Sequence, residues 1–160
     1  MAMNIVRFVL LVLMALLVGS MFGIMIGYNP ASLSASAYVE QHQNAVRSLN
    51  TLFPVMGAIC IALIVILVVR SGTQRRIRYL LAAAAFLMLV AALVTRFGNQ
   101  PINAIVMTWS THVQAANWEQ LRDQWWQWHV ARTVAAILAF SFVVLAVLSE
   151  SKAPANEDEV

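Results

Sequence analysis

Four apolar stretches decide most of what this chain can become: about Val6–Tyr28, Leu52–Val69, Tyr79–Thr95 and Val134–Leu148. A helix that crosses a bilayer needs roughly 20 residues at about 1.5 Å each. Each stretch reaches that length once its flanks are included, giving expected spans of about 6–28, 49–69, 78–96 and 130–148. Together they consume most of the 160 residues, so one domain over residues 1–149 is expected, with no room for a soluble one. The acidic stretch 150–160 is expected to be a disordered tail. Composition agrees: 61% of positions are hydrophobic and 11% charged, against roughly 45–50% and about 25% in soluble domains. There is no fixed-period repeat and no strand-type alternation. The fold class is therefore all-α, an integral-membrane four-helix bundle.

The first stretch also has the parts of a cleaved leader: Arg7, the apolar Phe8–Val18, and a small-residue site at "VGS". The run continues through "MFGIMIGY", however, long enough to span, so a retained helix is expected. Gly19, Gly23 and Gly27 recur at i, i+4 and i+8, which suits close helix packing in lipid. Orientation follows from "RSGTQRRIR", where Arg70, Arg75, Arg76 and Arg78 occur without an acid. Cations mark the cytoplasmic side, so both termini are expected there, with a bacterial inner membrane as the setting. The net charge of +3 is then a topology signal and not a sign of nucleic-acid binding. Cys60 is the single cysteine and lies in the second span, which leaves no disulfide and no cysteine-based metal motif.

The polar residues gather on the opposite side. In "NPASLSASAYVEQHQNAVRSLNTLFP", Asn29-Pro30 breaks the first helix, and Ser34 or Ser36 can cap the next. Glu40, Gln43, Asn44 and Arg47 share one helical face, read as a solvated lead-in with a Glu40–Arg47 attraction. Pro54 marks a kink or the true start of the second span. Arg96 and Gly98 are expected to end the third helix. "NQPIN" then forms a turn, with Asn99 and Asn103 capping backbone groups on either side of Pro101, before a helix over Ala104–Gln114.

The stretch "WEQLRDQWWQWHVART", residues 118–133, holds four of the five tryptophans. On one helix, steps of about 100° put Trp118, Arg122, Trp125, His129 and Arg132 within an arc of about 80°. Trp126 and Trp128 fall elsewhere and suit interface anchors. The stripe asks for another reason, because an aromatic belt needs neither His129 nor Arg132. Arg132 lies nearest the apolar run and needs a partner or a route to water; Glu40 is the expected partner. A polar, Trp-rich extracytoplasmic cap results, at a bundle mouth where a lipophilic ligand can arrive from the bilayer.

"NQPIN", then a Trp-containing helix, then "WWQWHVART" resembles the anthrone oxygenase-like family of small four-helix membrane proteins, formerly a domain of unknown function. The matching positions are Asn99, Pro101 and Asn103, then Trp125, Trp128, His129 and Arg132, and "YVEQHQNAVR" is similar to that family's first outer stretch. The resemblance runs from about Val6 to Leu148. It implies the bundle and, further, oxidation of a hydrophobic anthrone- or phenol-like substrate by O2 without a cofactor. In such a scheme His129 is the base, with Glu40 as its substitute, and Arg132 stabilises the oxyanion. Trp118 and Trp125 stack the substrate, while Asn99, Asn103 and Gln43 hold its polar groups.

Two other readings stay open. His42, His112 and His129 fall on the outer side and suit Cu, Fe or haem, although no two stand at i, i+3 or i, i+4. Alternatively the cap is the surface of a non-enzymatic membrane partner or assembly protein. Association between copies of the chain is left open. No Gly-x-Ser-x-Gly, P-loop or dinucleotide fingerprint occurs.

Overall fold

The computed structural model describes residues 2–110 and 116–150. His112 and the tail 151–160 lie outside the described residues. The described residues form six α-helices: α1 (Ala2–Gly27), α2 (Ala35–Leu49), α3 (Leu52–Arg70), α4 (Arg75–Val94), α5 (Gln100–Val106) and α6 (Trp118–Glu150). Among the described residues there is no β-strand. Four segments among the described residues are long and apolar enough to cross a membrane: Ala2–Ser32, Leu52–Arg70, Arg75–Val106 and Trp118–Ser149. The chain is an all-α membrane bundle.

The four spans close into a ring. α6 packs on α4 and α1, and α3 packs on the same two, so each neighbour runs antiparallel to the next. Leu10, Met14, Leu17, Ile64, Leu81 and Met88 fill the centre. Ala84 of α4 and Ala135, Ala136, Ala139 and Ala146 of α6 are buried with them. Small side chains let two backbones approach closely where lipid supplies no hydrophobic drive. The Gly19, Gly23, Gly27 repeat does not serve this purpose within the chain. All three are exposed, and a Cβ at any of them would meet nothing within 4 Å.

At the arginine-rich end, α3 and α4 are joined by a short turn in which Gly72 takes φ +55, a conformation a Cβ would strain. Arg78 donates to the Gly72 carbonyl there. At the other end the chain is folded back on itself. Asn29 caps a single 3-10 turn, Pro30–Ser32, and Ser34 caps α2 by accepting from the Ala37 N–H at 3.3 Å. α2 does not run on into the membrane. It stops at Asn50, and α3 starts afresh with Pro54 in its first turn, where no intrahelical N–H is required.

The third span departs from its expected end. Arg96 and Gly98 do not terminate it, and "NQPIN" is not a turn. Residues Thr95–Asn99 form a π-helical turn, with the Gln100 N–H on the Thr95 carbonyl, leading straight into α5. The π turn lets a helix absorb Pro101, whose ring and missing N–H disrupt the ordinary ladder. Gly98 has a separate cause. A Cβ there would stand 2.7 Å from Cγ of Trp128, so the indole packs directly on the glycine backbone.

Candidate functional site

The buried polar residues of α2, the π turn, α5 and the first half of α6 converge on Trp125, which is 7% exposed. Its indole N–H donates to Oδ1 of Asn103 at 2.8 Å. An indole nitrogen can only donate, so the atom it meets must be the amide oxygen. The same Oδ1 lies 3.1 Å from Nε2 of His42, which must therefore carry its proton on Nε2. The amide Nδ2 of Asn103 completes the set by donating to Asn50 at 3.0 Å. One asparagine thus fixes an indole, an imidazole tautomer and the α2–α3 junction, and the hydrogen-bond network assigns all three.

His42 is 2% exposed. It meets Trp125 edge-on, with ring centroids 4.8 Å apart, and Tyr38 at 5.2 Å. Its Nδ1 lone pair is taken by no described group. Burial pushes its pKa down from 6.5 to about 4; the bond to Asn103 opposes this and the charge of Arg132 adds to it. The ring is a neutral imidazole at physiological pH, with an unclaimed lone pair.

His129 is built the other way. It is fully buried, and Nε and Nη2 of Arg132 both approach its Nδ1, at 3.3 and 3.0 Å. Arginine has no lone pair to offer, so Nδ1 accepts, and Nε2–H donates to the Met21 carbonyl at 3.1 Å. Both nitrogens are occupied. Trp125 stacks on the ring at 5.2 Å and 6°, and Trp126 at 5.7 Å and 24°. His129 is thereby a rigid seat for Arg132, whose third nitrogen, Nη1, reaches Thr95 Oγ1 at 3.4 Å, so that N–H groups remain for a ligand.

Arg132 is only 9% exposed, and no carboxylate among the described residues lies within ion-pair distance of it. It lines a cavity of about 370 Å³ together with Tyr28, His42, Asn103, Trp125 and Thr95 on the polar side, and Ile24, Leu49, Phe53 and Pro54 on the apolar side. A buried, uncompensated cation favours an anion beside it. The chamber therefore combines a fixed positive charge, a neutral base and aromatic walls.

Residues 42–142 match the family model described as anthrone oxygenase. The chain belongs to that family. The match opens on His42 and takes in Asn103, Trp125 and Arg132, all four of which line the chamber. No curated protein and no solved structure matches.

In this anthrone oxygenase family member the residues expected from sequence are distributed unevenly. Arg132, Trp125 and Asn103 line the chamber; His129 stands behind it. Glu40 does not partner Arg132. It is exposed and lines no part of the chamber, because α2 turns its Tyr38, Val39 and His42 face inward. Nor does Glu40 hold Arg47, which donates to Asn44 and Gln43 at 3.3 Å each. Gln43 donates to the carbonyls of Val106 and Trp109, at 3.0 and 2.8 Å, and so ties α2 to the end of α5. Asn99 is fully buried and donates to the Trp125 carbonyl at 3.0 Å; it clamps the π turn to α6 and caps nothing. Trp118 lies outside the chamber, tilted on Tyr38 at 5.9 Å with Arg122 5.0 Å over its ring.

Trp126 is not a simple interface anchor. It is half-buried against His129 and Tyr28, because residues three apart on a helix are neighbours. Tyr28 is the residue that sequence reasoning missed most plainly. It lines the chamber, yet its hydroxyl is buried without a hydrogen-bond partner, as are Tyr38 Oη and Asn99 Oδ1. Its signal was its place at the end of the first span, just before the Asn29-Pro30 break. For a metal, the described residues offer no group of three His, Cys, Asp or Glu. Both described histidines, His42 and His129, commit Nε2 to an oxygen, and Arg132 would repel a cation nearby.

Proposed function

We propose that this member of the anthrone oxygenase family oxidises a planar, hydrophobic anthrone- or phenol-like substrate with O2, using its own side chains and no cofactor. The carrying observation is the buried Arg132 guanidinium, unpaired with any carboxylate among the described residues and sharing a chamber with the His42 imidazole. His42 Nδ1 takes the proton from the activated CH2 or the phenol. Arg132 stabilises the enolate oxygen, where a charge in a dry site is worth more than in water. The enolate passes one electron to O2, and the radical pair combines as a peroxide on the former CH2 carbon. Loss of that carbon's second proton and of hydroxide leaves a carbonyl. In balance, CH2 and O2 become C=O and H2O. Trp125 is an aromatic wall for the ring, and His129 is a positioning residue acting through Arg132.

This reading moves the base from His129, whose nitrogens are both engaged, to His42. It also places the chamber at the extracytoplasmic end of a bacterial inner-membrane protein, supported by the four arginines at the opposite end. The test is O2 uptake by detergent-purified protein supplied with 1,8-dihydroxyanthrone. One O2 consumed per anthrone, with anthraquinone formed and a metal-free, colourless preparation, supports the reading. A Soret band or stoichiometric Cu or Fe needed for turnover would replace it with metal-dependent oxidation. No turnover of any anthrone or phenol would favour a non-enzymatic partner.

A further inference from the structure

A second cavity of about 210 Å³ adjoins the chamber, and Arg132, Thr95, Phe53 and Pro54 line both. The two differ in chemistry. Past Arg132 the inner walls are the buried Leu17, Met21, Met88 and Ala136, while the exposed Arg96 and the half-buried Gln100 add polar groups to the lining. Small residues line the sides: Gly57 and Ala58 on α3, Ala91 and Ala92 on α4. Ala58 and Ala92 are exposed, so the slot opens between α3 and α4 within the membrane-crossing segments. A Cβ built on Gly57 meets nothing within 4 Å, which marks open space at that wall. The volume is larger than dioxygen needs and suits a chain of several methylenes.

We propose that the substrate is an amphiphile, with its acidic aromatic ring in the chamber against Arg132 and an aliphatic chain in this slot, leading out between α3 and α4 to the lipid. The inference rests on the chamber being an aromatic-anion site, as argued above, and adds the substrate's tail. Two features point to one ligand lying across both compartments. Arg132 stands at their junction, where a ring oxyanion would meet it, and beyond it eleven of the slot's fifteen lining residues are Leu, Ile, Met, Phe, Pro, Ala or Gly. In lipid a chain gains little from transfer, because acyl tails are as apolar as the slot walls. The slot therefore acts by shape, orienting the ring and admitting molecules from the bilayer.

The test is steric. Binding of 2-alkyl-3-hydroxy-1,4-naphthoquinones, from methyl to decyl, is read by quenching of tryptophan emission in nanodiscs and expressed per concentration in lipid. Wild type is expected to bind the methyl and decyl compounds with comparable affinity. Gly57→Phe, which fills the slot, should bind the methyl compound within twofold of wild type and the decyl compound at least tenfold more weakly. Ala92→Phe, from the opposite wall, should repeat the pattern, and thermal melting confirms that each variant folds. Equal loss of both compounds, or loss of neither, overturns the tail assignment while leaving the chamber intact. Failure of wild type to bind either compound overturns the aromatic-anion reading, and the tail assignment with it.

Discussion

The two halves of the bundle solve burial in opposite ways. In the half towards the arginine turn, the core is Leu, Met, Ile, Val and Ala, with the Cys60 thiol packed as a small apolar group, and among the described residues nothing buried there requires a hydrogen-bond partner. In the capped half, His42, Asn99, Arg122, His129, Arg132 and Thr133 are all buried. Most polar atoms there are matched; besides the open Nδ1 of His42, the fully buried side-chain atoms without a partner, on Tyr28, Tyr38 and Asn99, belong to this half alone among the described residues. An apolar core of this kind needs only shape. A polar core needs each partner in place, and what it leaves unmatched is where a ligand can be recognised. Stability and chemistry should therefore separate along the bundle axis.

That separation can be broken or sharpened by substitution. The largest effect outside the proposed base belongs to Arg132→Gln, which should reduce anthrone-dependent O2 uptake about 10²–10³-fold, as for loss of an oxyanion donor, with the protein still folded by melting. Met14→Ala, in the apolar half, should do the converse. It should destabilise by about 2–5 kcal/mol, as cavity-forming core truncations do, while kcat stays within twofold. A Met14 variant that lost activity without losing stability would dissolve the distinction. Gly98→Ala drives a Cβ into the Trp128 indole and should cost about 1–3 kcal/mol, measured by thermal unfolding and relieved in part by Trp128→Leu.

The pH dependence is smaller and carries a definite sign. The pKa of His42 is lowered by burial to about 4 from 6.5, so the unfolded chain takes up its proton first as pH falls. Its contribution to stability is complete above about pH 6.5 and is lost progressively towards pH 4. Melting temperature should drop across that window in wild type and drop less in His42→Gln. Turnover should likewise stay level down to about pH 5 and fall below it, not near the pKa of an ordinary histidine. Smallest of all, Glu40→Gln should change neither stability nor activity by more than twofold, since Glu40 is exposed and outside the chamber.

The bundle was legible because span length and apolarity are properties of the chain alone. Arg132 and Trp125 were also legible, since a cation next to an apolar run and a shared helical face are visible without coordinates. The move of the proposed base from His129 to His42 has a physical source. Helical periodicity says which residues share a face but not which of their nitrogens are already bonded, and Arg132 at i+3 occupies the very atom a base would use. On α2 the polar face drew attention, Glu40, Gln43, Asn44 and Arg47, while His42 sat on the buried face with Tyr38 and Val39. The i, i+1, i+4 spacing of those three carried that information. The π turn was hidden because Gly and Pro near a helix end ordinarily signal termination, and only the packing of Trp128 on Gly98 gives the glycine another role.

The most direct test of the account sets two isosteric substitutions against each other. O2 uptake with 1,8-dihydroxyanthrone is measured for His42→Gln and for His129→Gln, whose amide oxygen can still accept from Arg132. The account predicts a fall of about 10²–10⁴-fold for His42→Gln, the range for loss of a general base, and retention within about tenfold for His129→Gln. The reverse order, with His129→Gln inactive and His42→Gln near wild type, would contradict the assignment of the base and the chamber chemistry built on it.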